Sequence, residues 1–341
     1  MMPDHKPVSI DRIPTADGTH ELYAERHGNP KASRKAVVLH GGPGAGCSYK
    51  EHELFDPREY DVALFDQRWA PRSTPQAGIG PNSIDLNIAD VETVRAHYGF
   101  ETCTIIGGSW GATLGAFYAG RHKDHVERLI LRNLFLPDEA GAAHIIEASG
   151  SAKANRNQWF DAYQNFIPAA ERKHGLLYPY YERLKDNNDQ TAEAARLFME
   201  WDTSILTATP DPELIRGVAA EPDDALACAR AFFHFARHEF RAKRAREMID
   251  GLKDADFPIH SIIGGRDHIC SPARSLQAAT QWPNSTVHYV PEGGHGMADP
   301  LIRDALTDII WNAVIHDRRP KLAPKAPGVV SLSDESVISP R

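Results

Sequence analysis

The segment Gly107-Gly108-Ser109-Trp110-Gly111 holds a serine between small residues, at the end of an apolar run and the start of a helical one. This is the G-x-S-x-G pattern of a nucleophile elbow. An elbow holds its serine in a strained strand-to-helix turn, and only small neighbours let strand and helix approach each other. The hydroxyl then stands above the sheet. The first N–H of the following helix, that of Trp110, faces any oxyanion formed there. A serine needs a base, and the base needs an orienting acid. In this architecture the three follow in the order Ser, Asp, His. Asp267 lies just past the apolar run Pro258 to Ile263, and His295 follows the run Ser285 to Val290 in Gly293-Gly294-His295-Gly296. Asp256 and Asp299 are other carboxylates of the same region. The second oxyanion donor belongs to the loop after the first buried strand, His40-Gly41-Gly42-Pro43-Gly44-Ala45-Gly46. Gly42 fits, because a residue without a side chain lets the backbone turn in toward a carbonyl. Pro43 and the lack of G-x-G-x-x-G spacing count against a dinucleotide loop.

These residues require a sheet. Ala36 to His40, Asp61 to Asp66, Thr102 to Gly107 and Arg128 to Arg132 are short apolar runs, which suit parallel strands buried on both faces. Glu21 to His27, after an Asp17-Gly18 turn, suggests a hairpin arm. Asn82 to His97 carries Ile84, Ile88, Val91 and Val94 at helical spacing, with Asn82 or Ser83 as cap. Strand and helix in alternation predict a mostly parallel sheet covered by helices. From Pro137 to Asp256 no strand is predicted, and Thr191 to Ile205 and Pro222 to Arg244 read as helices. The expected organisation is an α/β core over residues 1–136 and 257–315, a helical cap over 137–256, and an extended tail over 316–341. Pro300 to Val314 is the expected last helix.

Composition narrows the function. The 341 residues carry 38 Lys+Arg against 46 Asp+Glu, a formal charge of −8. That balance argues against a phosphate-binding surface and hence against nucleic acid as partner. No apolar run reaches the length of a membrane span, and the N-terminus lacks a signal-peptide core, so no membrane partner and a cytoplasmic location are expected. Cys47, Cys103, Cys228 and Cys270 include no C-x-x-C pair, which predicts reduced, packed thiols and no metal. His234 and His238 stand four apart on a predicted helix and read as a packed or solvated face.

Taken together, His40-Gly-Gly-Pro-Gly44, Asp66-Gln67-Arg68, Gly107-Gly-Ser-Trp-Gly111, Gly265-Arg-Asp267 and Gly294-His295 resemble the proline iminopeptidase branch of the α/β-hydrolases, over roughly residues 15–315. The resemblance implies an α/β-hydrolase fold with a mostly parallel central sheet and an inserted helical cap. It also implies Ser109 as nucleophile, His295 as base, Asp267 as its partner, Gly42 and Trp110 as oxyanion donors, and no cofactor. The implied reaction is cleavage of a small amide or peptide bond, releasing an N-terminal residue from a small-molecule or short-peptide substrate. The chain departs from the branch at three places. Trp69 and Pro71 replace glycines in D-Q-R-G-x-G-R-S. Trp201-Asp202 carries Asp where the branch has the Glu that binds the substrate amine. Phe232 stands where the branch has a further carboxylate. The resemblance thus marks Trp69, Asp202 and Phe232 as substrate-binding positions, and the departures open an alternative, a hydrolase acting on a non-peptide amide or ester. A non-catalytic binding protein is a third class, against which the complete Ser-Asp-His set speaks.

Overall fold

The computed structural model describes residues 6–318 apart from 49, 79 and 208, together with 330 and 331. The chain opens with the antiparallel arm β1 (Ser9–Pro14) and β2 (Glu21–Gly28), as the Asp17-Gly18 turn predicts. Strands β3 (Arg34–Leu39), β4 (Tyr60–Phe65), β5 (Cys103–Gly108), β6 (Val126–Arg132), β7 (Ile259–Gly264) and β8 (Ser285–Val290) then pair in parallel, in the spatial order β4-β3-β5-β6-β7-β8. Every residue of β4 and β5 is buried, which is why these strands read as unbroken apolar runs. A two-residue strand, β9 (Val330–Ser331), pairs antiparallel with Tyr289 and His288 at the far edge.

Helices α1 (Ile84–His97), α2 (Trp110–Arg121) and α10 (Pro272–Ala279) contribute to the larger apolar cluster, whereas α11 (Pro300–Arg318) packs with Leu54 and Phe55 into a second. Ser83 is the cap of α1, its Oγ accepting from Leu86 N at 3.2 Å, while Asn82 Oδ1 accepts from Asn87 Nδ2 at 2.6 Å. The chain leaves β3 for β4 on one side and returns to β5 on the other. The loop after β3 and the turn after β5 therefore meet outside the carboxyl ends of the strands, where such sheets hold their ligands.

Between β6 and β7 the chain forms α3 (Glu139–Ile146), α4 (Gln158–Phe166), α5 (Leu177–Leu184), α6 (Thr191–Ser204), α7 (Pro212–Ala219), α8 (Pro222–His238) and α9 (Ala242–Gly251). The single helix expected over Pro222 to Arg244 is two. Phe240 turns into the interior, where its ring lies 5.0 Å from Phe135 and 5.9 Å from Trp110, and Arg241 N donates to Pro137 O at 3.0 Å. Those contacts outweigh helix continuation, and periodicity alone does not reveal them. The last helix runs to Arg318, so residues 316–318 of the expected extended tail are helical. Of the rest of that tail, all but Val330 and Ser331 lies outside the described residues. Among the described residues no helix is long and apolar enough to cross a membrane.

Candidate active site

Ser109 sits between β5 and α2 with φ 58 and ψ −122, a left-handed conformation that a non-glycine residue adopts only when its surroundings enforce it. The enforcement is steric. A Cβ on Gly107 would overlap Gly111 O, and one on Gly111 would overlap Leu39 O, so α2 starts in van der Waals contact with β3 and β5. Ser109 N donates to Arg132 O at 2.9 Å, extending the β5–β6 pairing up to the turn.

Asp267 follows β7 and His295 follows β8. His295 Nδ1 donates to Asp267 Oδ2 at 2.8 Å, a direction set by the acceptor-only carboxylate. Asp267 Oδ1 accepts from Ile269 N at 2.8 Å and Cys270 N at 2.9 Å, which fixes the carboxylate. Asp299 is used elsewhere: its Oδ2 accepts from Gly294 N at 2.6 Å. The polar partner of Ser109 Oγ in this structure is Cys270 Sγ, at 4.0 Å, rather than His295. Asp267, Cys270 and His295 bring an oxygen, a sulfur and a nitrogen within 4.8 Å of one another, and all three residues are buried. Among the described residues this is the one group of three such side chains compact enough for a cation, and its histidine is already paired with its carboxylate. Burial pushes the Cys270 thiol well above its ordinary range, so it stands beside the serine as a neutral thiol. In the sequence Cys270 reads only as a packed thiol, because nothing in its spacing marks its approach to Ser109.

The loop after β3 reaches the same place. A Cβ on Gly41 would lie 3.5 Å from Ser109 Cβ. Gly42 has φ 113, and a Cβ there would stand 2.7 Å from Gly44 N, so only glycine fits this turn. Trp110 is buried at the start of α2. Its Nε1 donates to Gln67 Oε1 at 2.8 Å, Gln67 Nε2 donates to His40 O at 2.9 Å, and Gln67 N donates to His40 Nε2 at 2.9 Å. Gln67 therefore ties the loop after β3 to the elbow, a role that nothing local in Asp66-Gln67-Arg68 signals. Its neighbours are structural too. Asp66 accepts from Cys47 N and from the backbone and guanidinium of Arg72, and Arg68 pairs with Asp90 at 2.6 Å.

The three remaining positions lie in different surroundings. Asp202, near the end of α6, is half-buried, and its carboxylate makes no side-chain hydrogen bond or ion pair among the described residues. Burial pushes it up to about 6, opposed only by the positive charge His295 can carry. Phe232 is 5% exposed and packs against Phe198 at 5.4 Å, Phe240 at 5.9 Å and Phe135 at 6.3 Å. Phe235, three residues further along α8, rests on Trp110 at 4.6 Å, so α8 roofs the elbow with aromatic rings. Trp69 is 1% exposed, has φ 68, and packs on His234 at 4.8 Å. Its ring contact is with α8 and not with the Ser109 cluster. His234 Nε2 meets Asn82 O at 2.8 Å and His238 Nε2 meets Tyr181 Oη at 3.0 Å, so each of these histidines has its own partner, as expected of a packed face.

Comparison with known proteins agrees with this geometry. The family described as alpha/beta hydrolase fold matches residues 37–299. The chain is 32% identical over 300 residues to a proline iminopeptidase of Xylella fastidiosa, covering 85% of this chain and 92% of that protein. It is also 32% identical over 300 residues to a proline iminopeptidase of Arabidopsis thaliana, covering 87% and 77%. The crystal structure of a proline iminopeptidase from Mycobacterium smegmatis superposes with a TM-score of 0.60 at 20% identity, over 91% of this chain and 99% of that one. With its sheet order, elbow and relatives in agreement, the chain belongs to the α/β-hydrolase family, in the branch of the proline iminopeptidases.

Proposed function

We propose that the protein is a serine hydrolase that cleaves a small amide or peptide bond next to a free N-terminal residue, through an acyl-enzyme. The observation that carries this reading is the 2.8 Å Asp267–His295 pair set beside a serine held at φ 58. Asp267 keeps His295 Nδ1 protonated, which leaves Nε2 to take the Ser109 proton. Ser109 Oγ attacks the carbonyl carbon, and the backbone N–H groups of Trp110 and Gly42 receive the oxyanion. His295 returns the proton to the leaving amine. Water then repeats the sequence on the ester and frees Ser109. The unpartnered Asp202 supplies an anion for the substrate ammonium, whose burial would otherwise be costly. Four free, buried cysteines support a reducing, cytoplasmic location, and the net charge of −8 supports a small-molecule or short-peptide substrate rather than nucleic acid or membrane.

A second reading, the same chemistry on a non-peptide amide or ester, is favoured by Phe232, which puts an aromatic ring in an apolar cluster where the branch carries a carboxylate. Turnover of proline arylamide against a short-chain aryl ester separates the two. For the shared mechanism, a fluorophosphonate should label Ser109, and Ser109→Ala should abolish labelling. His295→Ala should lower kcat by about 10³-fold or more. Labelling that survives Ser109→Ala would sink the assignment.

A further inference from the structure

Two polar side chains at the end of β6 are left unused by the reaction scheme. Arg132 and Asn133 are 9% and 1% exposed. Arg132 Nη1 donates to the main-chain carbonyl of His295 at 2.5 Å. Asn133 Nδ2 donates to the same oxygen at 2.6 Å and to Gly294 O at 2.9 Å, while its Oδ1 accepts from Gly264 N at 2.8 Å. Two side chains therefore converge on one carbonyl, that of the base. The guanidinium also packs against the elbow. A Cβ on Gly108, the residue before the nucleophile, would overlap Nη2, Cζ and Nε of Arg132, and Arg132 O accepts the N–H of Ser109. One residue thus touches both the elbow and the histidine loop, which belong to strands separated in the sheet by β6 and β7.

This arrangement is not explained by packing. Arg132 and Glu51 line one small cavity, with Val38, Leu54 and Met297 among its walls. Arg132 forms no ion pair within 4.0 Å among the described residues. A well-packed apolar side chain would stabilise a strand end at least as well as a buried cation does. What an apolar side chain cannot do is hold a carbonyl and a backbone turn at a fixed separation, for which the planar, multi-donor guanidinium is suited.

We propose that Arg132, assisted by Asn133, is a positioning residue that sets His295 against Ser109 by clamping the His295 carbonyl to the underside of the elbow. The proposal rests on the Ser109–His295 reading above, and the controls keep the two apart. If the unsubstituted protein neither hydrolyses arylamide or aryl ester nor is labelled at Ser109, that reading fails, whatever Arg132 does. Given an active protein, Arg132→Ala should lower kcat by about 10²-fold while KM stays within about threefold, as a small misplacement of a reacting group does. Guanidinium chloride at non-denaturing concentration should refill the vacated space and raise the variant's kcat at least about tenfold, and sodium chloride should not. A folded Arg132→Ala with unchanged kcat, or a loss that guanidinium does not recover, overturns the proposal. If Arg132→Ala does not fold, Arg132→Lys decides. It keeps the charge and loses the planar fork, so kcat should fall about tenfold or more at unchanged KM, and full kcat in that variant overturns the clamp.

Discussion

Asp202, the proposed anion for the substrate amine, carries a cost in stability. Its carboxyl is half-buried, lacks a side-chain partner among the described residues, and is pushed up to about 6 by desolvation. The ordinary value is 3.8, so between these pH values the native state binds a proton that the unfolded state has lost. Stability therefore falls as pH rises through that window, and above about 6 the cost of the buried anion is present in full. Asp202→Asn should raise the melting temperature at pH 8 and leave it nearly unchanged at pH 4, measured by thermal unfolding. The function should move the other way. Between pH 5 and 7 the KM of the unsubstituted protein for a free-amine substrate should fall as the carboxylate forms. KM for an N-acylated substrate should not follow, and Asn at position 202 should flatten the dependence. Equal effects on both substrates would make Asp202 structural only. In the sequence Asp202 is legible through Trp201-Asp202 alone. Arg132 is not, because a basic residue ending an apolar strand looks like the solvated end of that strand until the fold buries it.

At the scale of elements, the strands and the elbow are readable because their signal is local: apolar runs and glycines. What sequence reading misses is long-range. The break between α8 and α9 depends on Phe240 meeting Phe135 and Trp110, residues that lie over 100 positions earlier. The link made by Gln67 joins the loop after β3, the loop after β4 and the start of α2, three segments that only the sheet brings together. Gln67→Ala would leave the His40 carbonyl and Trp110 Nε1 buried without partners. The expected loss is about 1–3 kcal/mol for each group, read from urea unfolding. Because Trp110 also supplies the proposed oxyanion N–H, kcat should drop by more than KM rises. An unchanged kcat in the folded variant would show that the elbow keeps its place without this link.

At the scale of the molecule, α8 decides how the helices between β6 and β7 sit on the sheet. A single apolar cluster runs from the sheet residues Leu39 and Ile105 through Trp110 to Phe198, Trp201 and Phe233. Two kinds of polar contact then fasten α8 and α9 from the sides. Arg230, 5% exposed, donates to Leu184 O, Ala77 O and Asn187 Oδ1, joining α8 to α5 and to the loop after β4. On the surface, Asp85 of α1 pairs with Arg121 of α2 at 2.6 Å and Arg244 of α9 at 2.7 Å, and both arginines reach Glu247. The surface network looks richer, but its groups are solvated and screened, so pairs of this kind contribute little each. Arg230 is different, since its removal strands two main-chain carbonyls, those of Leu184 and Ala77, in the interior. Arg230→Ala should therefore lower stability by about 3 kcal/mol or more, whereas Arg244→Ala should lower it by about 1 kcal/mol or less, both from urea unfolding at pH 7. Added salt separates them further, weakening the unsubstituted protein's advantage over Arg244→Ala but not over Arg230→Ala. Since the continuous cluster couples sheet and helices, Arg230→Ala should also loosen Phe235 from Trp110 and lower kcat. Equal losses from the two substitutions would mean that surface charge, rather than the buried guanidinium, holds α8 over the elbow.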